Sequence, residues 1–256
     1  MRSPLRSSPR LGLGGILVAL ALSGCGGEEA GSPAVQEGEV QGGSAFATDG
    51  ATGLLVSENG ALCTGTLIAP DVVLTAAHCL DSPIKTFSTG AGAPTRTRGI
   101  PDGMTTYEVA ETLAHPTFEG VAWGMAIGAD VALVRLAHPP EVAPAELATE
   151  PPAVGTVCHA VGYGRHTQNG IETFSEKRIA TVRVVAVDEG RLSVTAVDGI
   201  ADGGDSGGPL SCGDGRIHGT VSTGGVVPEH IEASLVLYMR SDVVKPWIES
   251  TLAAWQ

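Results

Sequence analysis

A serine flanked by glycines is the residue of this chain best suited to nucleophilic chemistry. It is Ser206, within the segment Gly204–Leu210, which reads GDSGGPL. A serine hydroxyl is a weak nucleophile unless a base removes its proton, and backbone amides must come close to the substrate carbonyl to stabilise the developing oxyanion. Glycines permit that approach, although a glycine-rich turn with an incidental serine has the same composition. The segment therefore predicts a nucleophile only if a base and an orienting acid lie elsewhere in the chain.

Two other segments supply candidates for these partners. His78 follows the apolar run Val72–Thr75 in the sequence TAAHC, and Asp130 precedes the strongly apolar run Val131–Leu136. Taken alone, such a histidine is more often structural, and such an aspartate is more often a turn residue before a strand. Together with Ser206 they form a set of base, orienting carboxylate and nucleophile. We therefore predict that these three residues are catalytic.

The elements that must position these residues are short strands. The 256 residues include 36 glycines and 16 prolines, so the chain bends often, which favours many short strands over long helices. Runs rich in apolar and β-branched residues predict strands at Thr64–Ile68, Val72–Thr75, Val131–Leu136, Thr156–Tyr163, Ile179–Val187 and Arg191–Val197. The last two flank Asp188–Gly190, which predicts a hairpin turn.

Helical spacing is found at the C-terminus. Apolar residues recur there at helical intervals, at Val244, Trp247, Ile248 and Leu252. Ser241 and Asp242 are candidate caps, and Pro246 is then expected in the first turn, where its missing N–H costs little. The predicted architecture is two β-rich halves followed by one helix.

The charge and motif content exclude several classes of partner. The formal net charge is -13, and a surface that acidic repels nucleic acid. We find no nucleotide-binding glycine loop. The neighbours His78/Cys79 and Cys158/His159 could suggest a metal site, but the chain has no CxxC pair. We therefore expect no cofactor, no metal and no nucleic-acid partner.

The first 39 residues predict export. A positive start precedes the apolar run Leu11–Leu22, which is too short to span a bilayer comfortably. The run ends in LSGC, which resembles the bacterial lipobox, so we predict a signal peptide at residues 1–24 and lipidation of Cys25. The alternative is an ordinary signal peptide with an incidental cysteine. Residues 25–39 are predicted to be a flexible acidic tether, and residues 40–256 the folded domain.

The cysteine count agrees with export. Of five cysteines, setting Cys25 aside leaves Cys63, Cys79, Cys158 and Cys212, an even number suited to two disulfides in an exported protein. Counting alone leaves three pairings open.

The blocks TAAHC, GADVALVRL and GDSGGPL, occurring in this order, resemble the chymotrypsin/trypsin family of serine proteases. Weaker echoes at residues 62–68 (LCTGTLI) and 161–164 (VGYG) extend the similarity over about residues 40–256. The resemblance implies an all-β fold of two six-stranded antiparallel barrels, with the active site between them and a short C-terminal helix. It implies an endopeptidase that forms an acyl-enzyme on Ser206, with the amides of Gly204 and Ser206 as the oxyanion hole.

The family pattern also implies cross-links and an activation step. It pairs Cys63 with Cys79 and Cys158 with Cys212, while Asp202 stands where the first cysteine of a further disulfide beside the specificity pocket would be. In this family a new N-terminus pairs its ammonium with the aspartate before the nucleophile. Here the segment VQGG begins at Val40. We expect cleavage after Glu39 to free the Val40 ammonium, which then forms an ion pair with Asp205. The alternative is that VQGG is merely the end of the tether.

The resemblance further places the specificity pocket. The corresponding residues are Ile200, Ser222, Thr223, Gly224 and Val236. Ile200 stands where trypsin-like members carry an aspartate, so a bound guanidinium would have no partner charge. Val236 should make the pocket shallow, and we predict a preference for small or medium apolar side chains. In a competing interpretation, Asp198 or Asp202 lies at the bottom of the specificity pocket and restores a preference for basic side chains.

These expectations define partners and rivals. We expect a monomer that acts on polypeptides outside the cytoplasm, anchored to a bacterial envelope through Cys25 as a precursor. An activating protease would release it to the periplasm or exterior. The rival classes are a protease-like binding protein and a lipoprotein with an envelope-structural role, but neither explains an intact set of His78, Asp130 and Ser206.

Overall fold

The computed structural model describes residues 43–225 and 230–256. Cys25 and Val40, predicted as the lipidation and activation sites, lie outside the described residues. The strands in chain order are β1 (Ser44–Ala45), β2 (Thr52–Ser57), β3 (Leu62–Ala69), β4 (Val72–Thr75), β5 (Ile84–Thr89), β6 (Gly92–Thr95), β7 (Thr105–Ala114), β8 (Gly120–Ala122), β9 (Met125–Ile127), β10 (Ala132–Leu136), β11 (Val157–Gly162), β12 (His166–Gln168), β13 (Ile171–Glu176), β14 (Arg178–Val187), β15 (Arg191–Ala196), β16 (Pro209–Ser211), β17 (Ile217–Gly225) and β18 (Leu235–Arg240). Short 3-10 helices occupy Ala77–Asp81 and Ile231–Ala233, and helix α1 spans Ser241–Ala254.

The strands form two antiparallel barrels. The first is closed in the order β10-β4-β3-β2-β5-β7, and the second has the order β14-β11-β16-β17-β18-β15, closed by pairing of β14 with β15. Strand β1 is added to the outside of the second barrel by pairing with β14. The expected pair of six-stranded barrels is thus confirmed.

Alternation of side chains produces a separate core in each barrel. In β14, Ala180, Val182 and Val184 are buried, while Thr181 between them is half-buried and Arg183 is exposed, as the two-residue period of a strand requires. The second-barrel core also includes Leu192, Val194 and Leu210, and the first-barrel core includes Leu55, Leu67, Val73, Phe87 and Val134. Close packing in these two cores fixes the positions of the strand ends that form the candidate site.

A third apolar cluster joins segments on either side of the barrel interface. It contains Leu54 and Leu62 of the first barrel and Tyr163 and Phe174 of the segment after β11. The Tyr163 hydroxyl lies 2.5 Å from the carbonyl oxygen of Gly90, and the Tyr163 amide donates to Oγ1 of Thr64 at 3.1 Å. Tyr163 therefore fixes the position of the second barrel's loops against the first barrel.

Helix α1 covers the first barrel. Val244 and Ile248 pack against Val72, Leu74 and Leu133. Two details differ from expectation, because α1 begins directly after β18. Its N-cap is Arg240, with no side-chain capping bond, so neither Ser241 nor Asp242 caps it. Pro246 consequently falls in the second turn rather than the first.

Both predicted disulfides are present, joining Cys63 to Cys79 and Cys158 to Cys212. The first ties β3 to the 3-10 helix that contains His78, and the second joins β11 to the segment after β16. Within residues 43–225 and 230–256, no helix is both long and apolar enough to cross a membrane.

Candidate active site

The register of two strands brings His78 and Asp130 together. Strand β4 ends at Thr75 and β10 begins at Ala132, and these two residues are paired across the antiparallel ladder. The chain leaving β4 and the chain entering β10 therefore extend past the same edge of the barrel. His78 comes three residues after Thr75, on the 3-10 helix, and Asp130 comes two residues before Ala132. The sheet thus places the two side chains side by side.

Asp130 is a buried carboxylate with three hydrogen-bond donors. It has no exposed surface. Its Oδ1 accepts from the backbone amide of His78 at 2.9 Å, and its Oδ2 lies 2.8 Å from Nδ1 of His78. The Ser222 hydroxyl donates to Oδ2 at 2.6 Å. Burial alone would raise the pKa of Asp130, but the bonds and charge of His78, with the Ser222 bond, outweigh it and lower that pKa.

This contact determines which nitrogen of His78 is free to act as a base. An ionised carboxylate only accepts hydrogen bonds, so Nδ1 must be the donor to Asp130. In the neutral ring Nε2 then carries a lone pair. The His78 side chain is 22% exposed, so the ring is partly accessible to solvent. The geometry provides an oriented general base.

Ser206 lies on a loop pressed against the first barrel. The amide of Thr64 donates to the Ser206 carbonyl at 2.8 Å, and Sγ of Cys79 lies 3.7 Å from the same oxygen. Since Cys79 is adjacent to His78, the candidate nucleophile and base are on touching segments. Within the described part of the chain, no hydrogen bond joins the His78 ring to the Ser206 hydroxyl. Such bonds are often long in a ligand-free site and tighten when substrate binds.

The glycines after the serine are required by this close packing. At Gly207, where φ is 84°, a Cβ would lie 2.0 Å from Oγ1 of Thr75 and 2.3 Å from the carbonyl oxygen of Thr64. At Gly208 it would lie 2.5 Å from the carbonyl oxygen of Val161. These contacts explain the GG pair physically: only glycine lets the loop approach both barrels.

Two backbone amides beside Ser206 are available to a ligand. The amides of Asp205, Gly207 and Gly208 donate to protein carbonyls at 2.8–2.9 Å. In contrast, the amides of Gly204 and Ser206 donate to no acceptor among the residues that the structure describes. These are the two groups that the family resemblance implies as an oxyanion hole. Preorganised, unpaired N–H donors are what such a site needs.

A cleft of about 420 Å³ opens beside Ser206. The predicted wall residues Ser222, Thr223, Gly224 and Val236 all line it, together with Val121, Gly124, Arg165, Ala201, Asp202, Gly203 and Val221. Val121 and Gly124 come from the β8–β9 hairpin, whose turn residue Trp123 is 99% exposed. The sequence did not indicate that this hairpin belongs to the site.

Ile200 is placed differently from its expected position in the cleft. It has no exposed surface and belongs to the core cluster of the second barrel, with Val221 and Val236. Ala201 and Asp202 line the cleft in its place. Ile200 packs wholly within the barrel core, whereas the next residue, Ala201, is also buried but reaches the edge of the cleft.

Neither aspartate considered for a basic pocket is free to serve one. Asp198 accepts from the amide and hydroxyl of Thr181 at 2.6 and 2.7 Å. Asp202 binds Arg165 through both carboxylate oxygens, at 2.9 and 3.1 Å. Arg165 was not among the predicted site residues, because nothing in its local pattern indicates a partner 37 residues away.

Asp205, the residue before Ser206, is buried. Its carboxylate accepts from the amides of Gly164 at 2.7 Å and Asp202 at 2.9 Å. Burial raises the pKa of Asp205 to about 7, although these two backbone bonds act in the opposite direction. Gly43 is held by two hydrogen bonds. Its carbonyl oxygen accepts from the Arg178 guanidinium at 3.2 Å, and its amide donates to the backbone carbonyl of Asp198 at 2.8 Å.

Cys63, His78 and Cys79 form a group whose atoms could in principle bind a metal. The two sulfur atoms are joined in a disulfide, so neither is a thiolate ligand. The donor set therefore does not fit a metal ion.

Comparison with known proteins agrees with the fold. The Trypsin family model matches residues 39–248. A snake venom serine protease from Bothrops alternatus is 31% identical over 75% of this chain and 86% of its own length. Chymotrypsin-like elastase family member 1 from Macaca fascicularis is 30% identical over 75% of this chain and 79% of its own length.

The fold is also similar to that of a solved structure, neuropsin, a serine protease expressed in the limbic system of mouse brain. The TM-score is 0.63 at 25% identity, over 80% of this chain and 95% of neuropsin. The family model spans most of the chain, and the relatives are serine-type, chymotrypsin-like peptidases. The chain therefore belongs to the trypsin family of serine proteases.

Proposed function

We propose that this protein is an exported serine endopeptidase in which Ser206 attacks the peptide carbonyl. His78 takes the hydroxyl proton on Nε2 and later gives it to the leaving amine, and Asp130 holds the ring in the required tautomer. The observation that carries the proposal is the two-point contact of Asp130 with the amide and Nδ1 of His78. Water then hydrolyses the acyl-enzyme with His78 again acting as the base.

The amides of Gly204 and Ser206 stabilise the tetrahedral oxyanion. The support is that both donors lack protein acceptors within the described residues, while the amides of neighbouring Asp205 and Gly207 are bonded. One such donor contributes about 3 kcal/mol to lowering the barrier in comparable sites.

The proposed specificity is for small or medium apolar side chains before the scissile bond. Val236 lines the cleft next to its cross-strand partner Gly224, where a Cβ would come within 2.8 Å of the valine Cγ2, so the valine side chain occupies space in this part of the lining. The carboxylate of Asp202 is paired with Arg165, so it gives a substrate guanidinium no partner charge.

The proposed activation step is cleavage between Glu39 and Val40. The new ammonium would reach Asp205, whose buried carboxylate has a pKa raised by burial and would gain a partner charge. The support is the path of the following chain: Ser44 and Ala45 pair with Ile179 and Arg178 of β14. Before cleavage the loop of Gly204 would be less well ordered.

The proposed location is outside the cytoplasm, with residues 1–24 removed as a signal peptide and Cys25 lipidated. No cysteine occurs in residues 26–39, so cleavage at Val40 would separate the anchor from the catalytic domain. The intact precursor would then be membrane-bound and the active form released.

The test is reaction with an organophosphate, followed by peptide mapping. The proposal predicts one phosphyl group per chain, on Ser206, none in Ser206→Ala, and loss of peptide hydrolysis in parallel. If the protein binds peptides but neither hydrolyses them nor reacts with the organophosphate at Ser206, it is instead the protease-like binding protein.

A further inference from the structure

The loop that contains the Gly204 amide is not held by a disulfide cross-link. It runs from Asp202 to Asp205, and Gly204 within it has a φ of 102°. The cysteines of the described ranges 43–225 and 230–256 are all joined in the two disulfides, and neither disulfide includes this loop. Something else must keep the amide oriented.

An arginine from another loop binds the first residue of this segment by a two-point contact. Nε and Nη2 of Arg165 lie 3.1 and 2.9 Å from the two carboxylate oxygens of Asp202. The Asp202 carboxylate is only 7% exposed, while the arginine is 42% exposed. Oδ1 of Asp202 also accepts from the Gly203 amide at 2.7 Å. This planar, charge-assisted pairing constrains direction as well as distance.

The two loops also meet along their backbones. The Arg165 amide donates to the Gly203 carbonyl at 2.8 Å, and the Gly164 amide donates to the Asp205 carboxylate at 2.7 Å. A Cβ built on Gly204 would lie 2.9 Å from Cα of Gly164. Bonds from Arg165 therefore reach the loop on the residue directly before Gly204 and on Asp202.

We propose that Arg165 is a positioning residue, which holds the Asp202–Asp205 loop so that the Gly204 amide faces the reacting carbonyl oxygen. The inference rests on the proposed function of that loop as an oxyanion hole. Arg165 acts through Asp202 and Gly203 and transfers no proton. Because its side chain is partly exposed and lies outside both barrel cores, its loss affects the loop more than the fold.

The test is kinetic, on the activated enzyme with Arg165→Gln and Arg165→Lys. Loosening one oxyanion donor should lower kcat by about tenfold in Arg165→Gln, with KM changed less than about twofold. Lysine keeps the positive charge but cannot make the two-point contact of the guanidinium, so the kcat of Arg165→Lys should lie between those of the wild type and Arg165→Gln. Affinity for a peptide aldehyde, whose adduct places an oxyanion in the hole, should fall by the same factor as kcat.

Two further variants separate this role from a general effect. Asp202→Asn should lower kcat similarly, and the double variant with Arg165→Gln should be no worse than either single one, because both act through one contact. Arg216→Gln is the matched control: Arg216 pairs with Glu146 at 3.2 Å, is also half exposed and does not line the active-site cleft. It should leave kcat unchanged.

Wild-type kcat and aldehyde affinity in Arg165→Gln, or an equal loss in Arg216→Gln, would overturn the inference and leave the proposed function intact. If Arg165→Gln does not fold, Asp202→Asn answers the same question with the same two outcomes. A wild-type enzyme that neither hydrolyses peptides nor reacts at Ser206 would overturn both the inference and the proposed function.

Discussion

Asp130 holds His78 at two points, accepting its backbone amide at 2.9 Å and its Nδ1 at 2.8 Å. The first contact fixes the 3-10 helix relative to β10, and the second fixes the rotation of the ring. Although the acid is fully buried, the hydrogen bonds and charge of His78 and the Ser222 hydrogen bond lower the pKa of Asp130, and its enclosed carboxylate is held in place. The pair is therefore preorganised before any substrate arrives.

Replacing Asp130 with asparagine should abolish most activity without unfolding the protein. The amide can present an N–H to Nδ1 and so favour the wrong tautomer, with the proton on Nε2. We expect kcat to fall by ~10⁴-fold with KM little changed. Steady-state kinetics on a short peptide measures this, and an Asp130→Asn enzyme within tenfold of wild type would contradict the assigned role.

Replacing Ser222 with alanine should have a smaller effect of the same kind. It removes one of the three donors that favour the ionised form of Asp130, so the pKa of Asp130 should rise. We expect the acid limb of the kcat/KM profile to move to higher pH. We also expect kcat at pH 8 to fall several-fold, which corresponds to a rise of roughly 1 kcal/mol in the activation free energy. Unchanged profiles would show that the hydroxyl does not tune the acid.

Gly207 should not tolerate a side chain. A Cβ there would lie 2.0 Å from Oγ1 of Thr75, and its φ of 84° is strained for alanine. We expect Gly207→Ala to lower the free energy of unfolding by roughly 2–4 kcal/mol. The matched control is Gly213→Ala, where a Cβ meets nothing within 4 Å. Equal unfolding midpoints for the two variants in urea would contradict the packing described.

Asp205 should give the uncut precursor an unusual dependence of stability on pH. Its pKa is about 7 in the folded state and 3.8 in the reference state, so the folded state holds the proton more tightly. The resulting stability is fully present below pH 3.8 and is lost as pH rises through about 7. The comparison is urea unfolding of Ser206→Ala precursor with and without Asp205→Asn, from pH 4 to 8.

Asparagine at position 205 should flatten that dependence, and cleavage at Val40 should also weaken it, because an ammonium beside the carboxylate lowers its pKa. A precursor whose stability rises from pH 4 to 7, with the rise lost in Asp205→Asn, would contradict the assignment of a raised pKa.

Val236 should set the size limit of the specificity cleft. Replacing it with glycine removes the side chain that meets Gly224, so larger apolar residues should fit. We expect kcat/KM for a phenylalanine substrate, relative to an alanine substrate, to rise by about 10- to 200-fold in Val236→Gly. A panel of short peptides measures the ratio. Rapid wild-type cleavage after arginine, with none after alanine, valine or leucine, would contradict the apolar preference.

Some of the strands predicted from apolar runs match the observed strands closely. The apolar run Val72–Thr75 has the same bounds as β4, and Val131–Leu136 differs from β10 by one residue. Strand β7, Thr105–Ala114, was missed, because its side chains are largely exposed and its apolar pattern is weak. Pairing with β5 and β10 makes it a strand, and that depends on tertiary context.

The candidate site shows the same division. His78 and Asp130, which were predicted to act together, are in contact, and each lies in a distinctive local motif. The contact of Arg165 with Asp202 joins residues 37 positions apart, without a pattern in either segment. Ile200 is wholly buried, while the next residue, Ala201, lines the cleft; this difference depends on tertiary packing, which spacing alone does not determine.

The most direct test of the proposed chemistry is capture of its covalent intermediate. The activated enzyme is mixed with an activated ester of a small apolar acyl group, quenched in acid within milliseconds, and mapped by mass spectrometry. The account predicts a burst of about one leaving group per active site, with the acyl group on Ser206, and no burst in His78→Ala or Ser206→Ala. An acyl group on another residue, or an undiminished burst without His78, would contradict it.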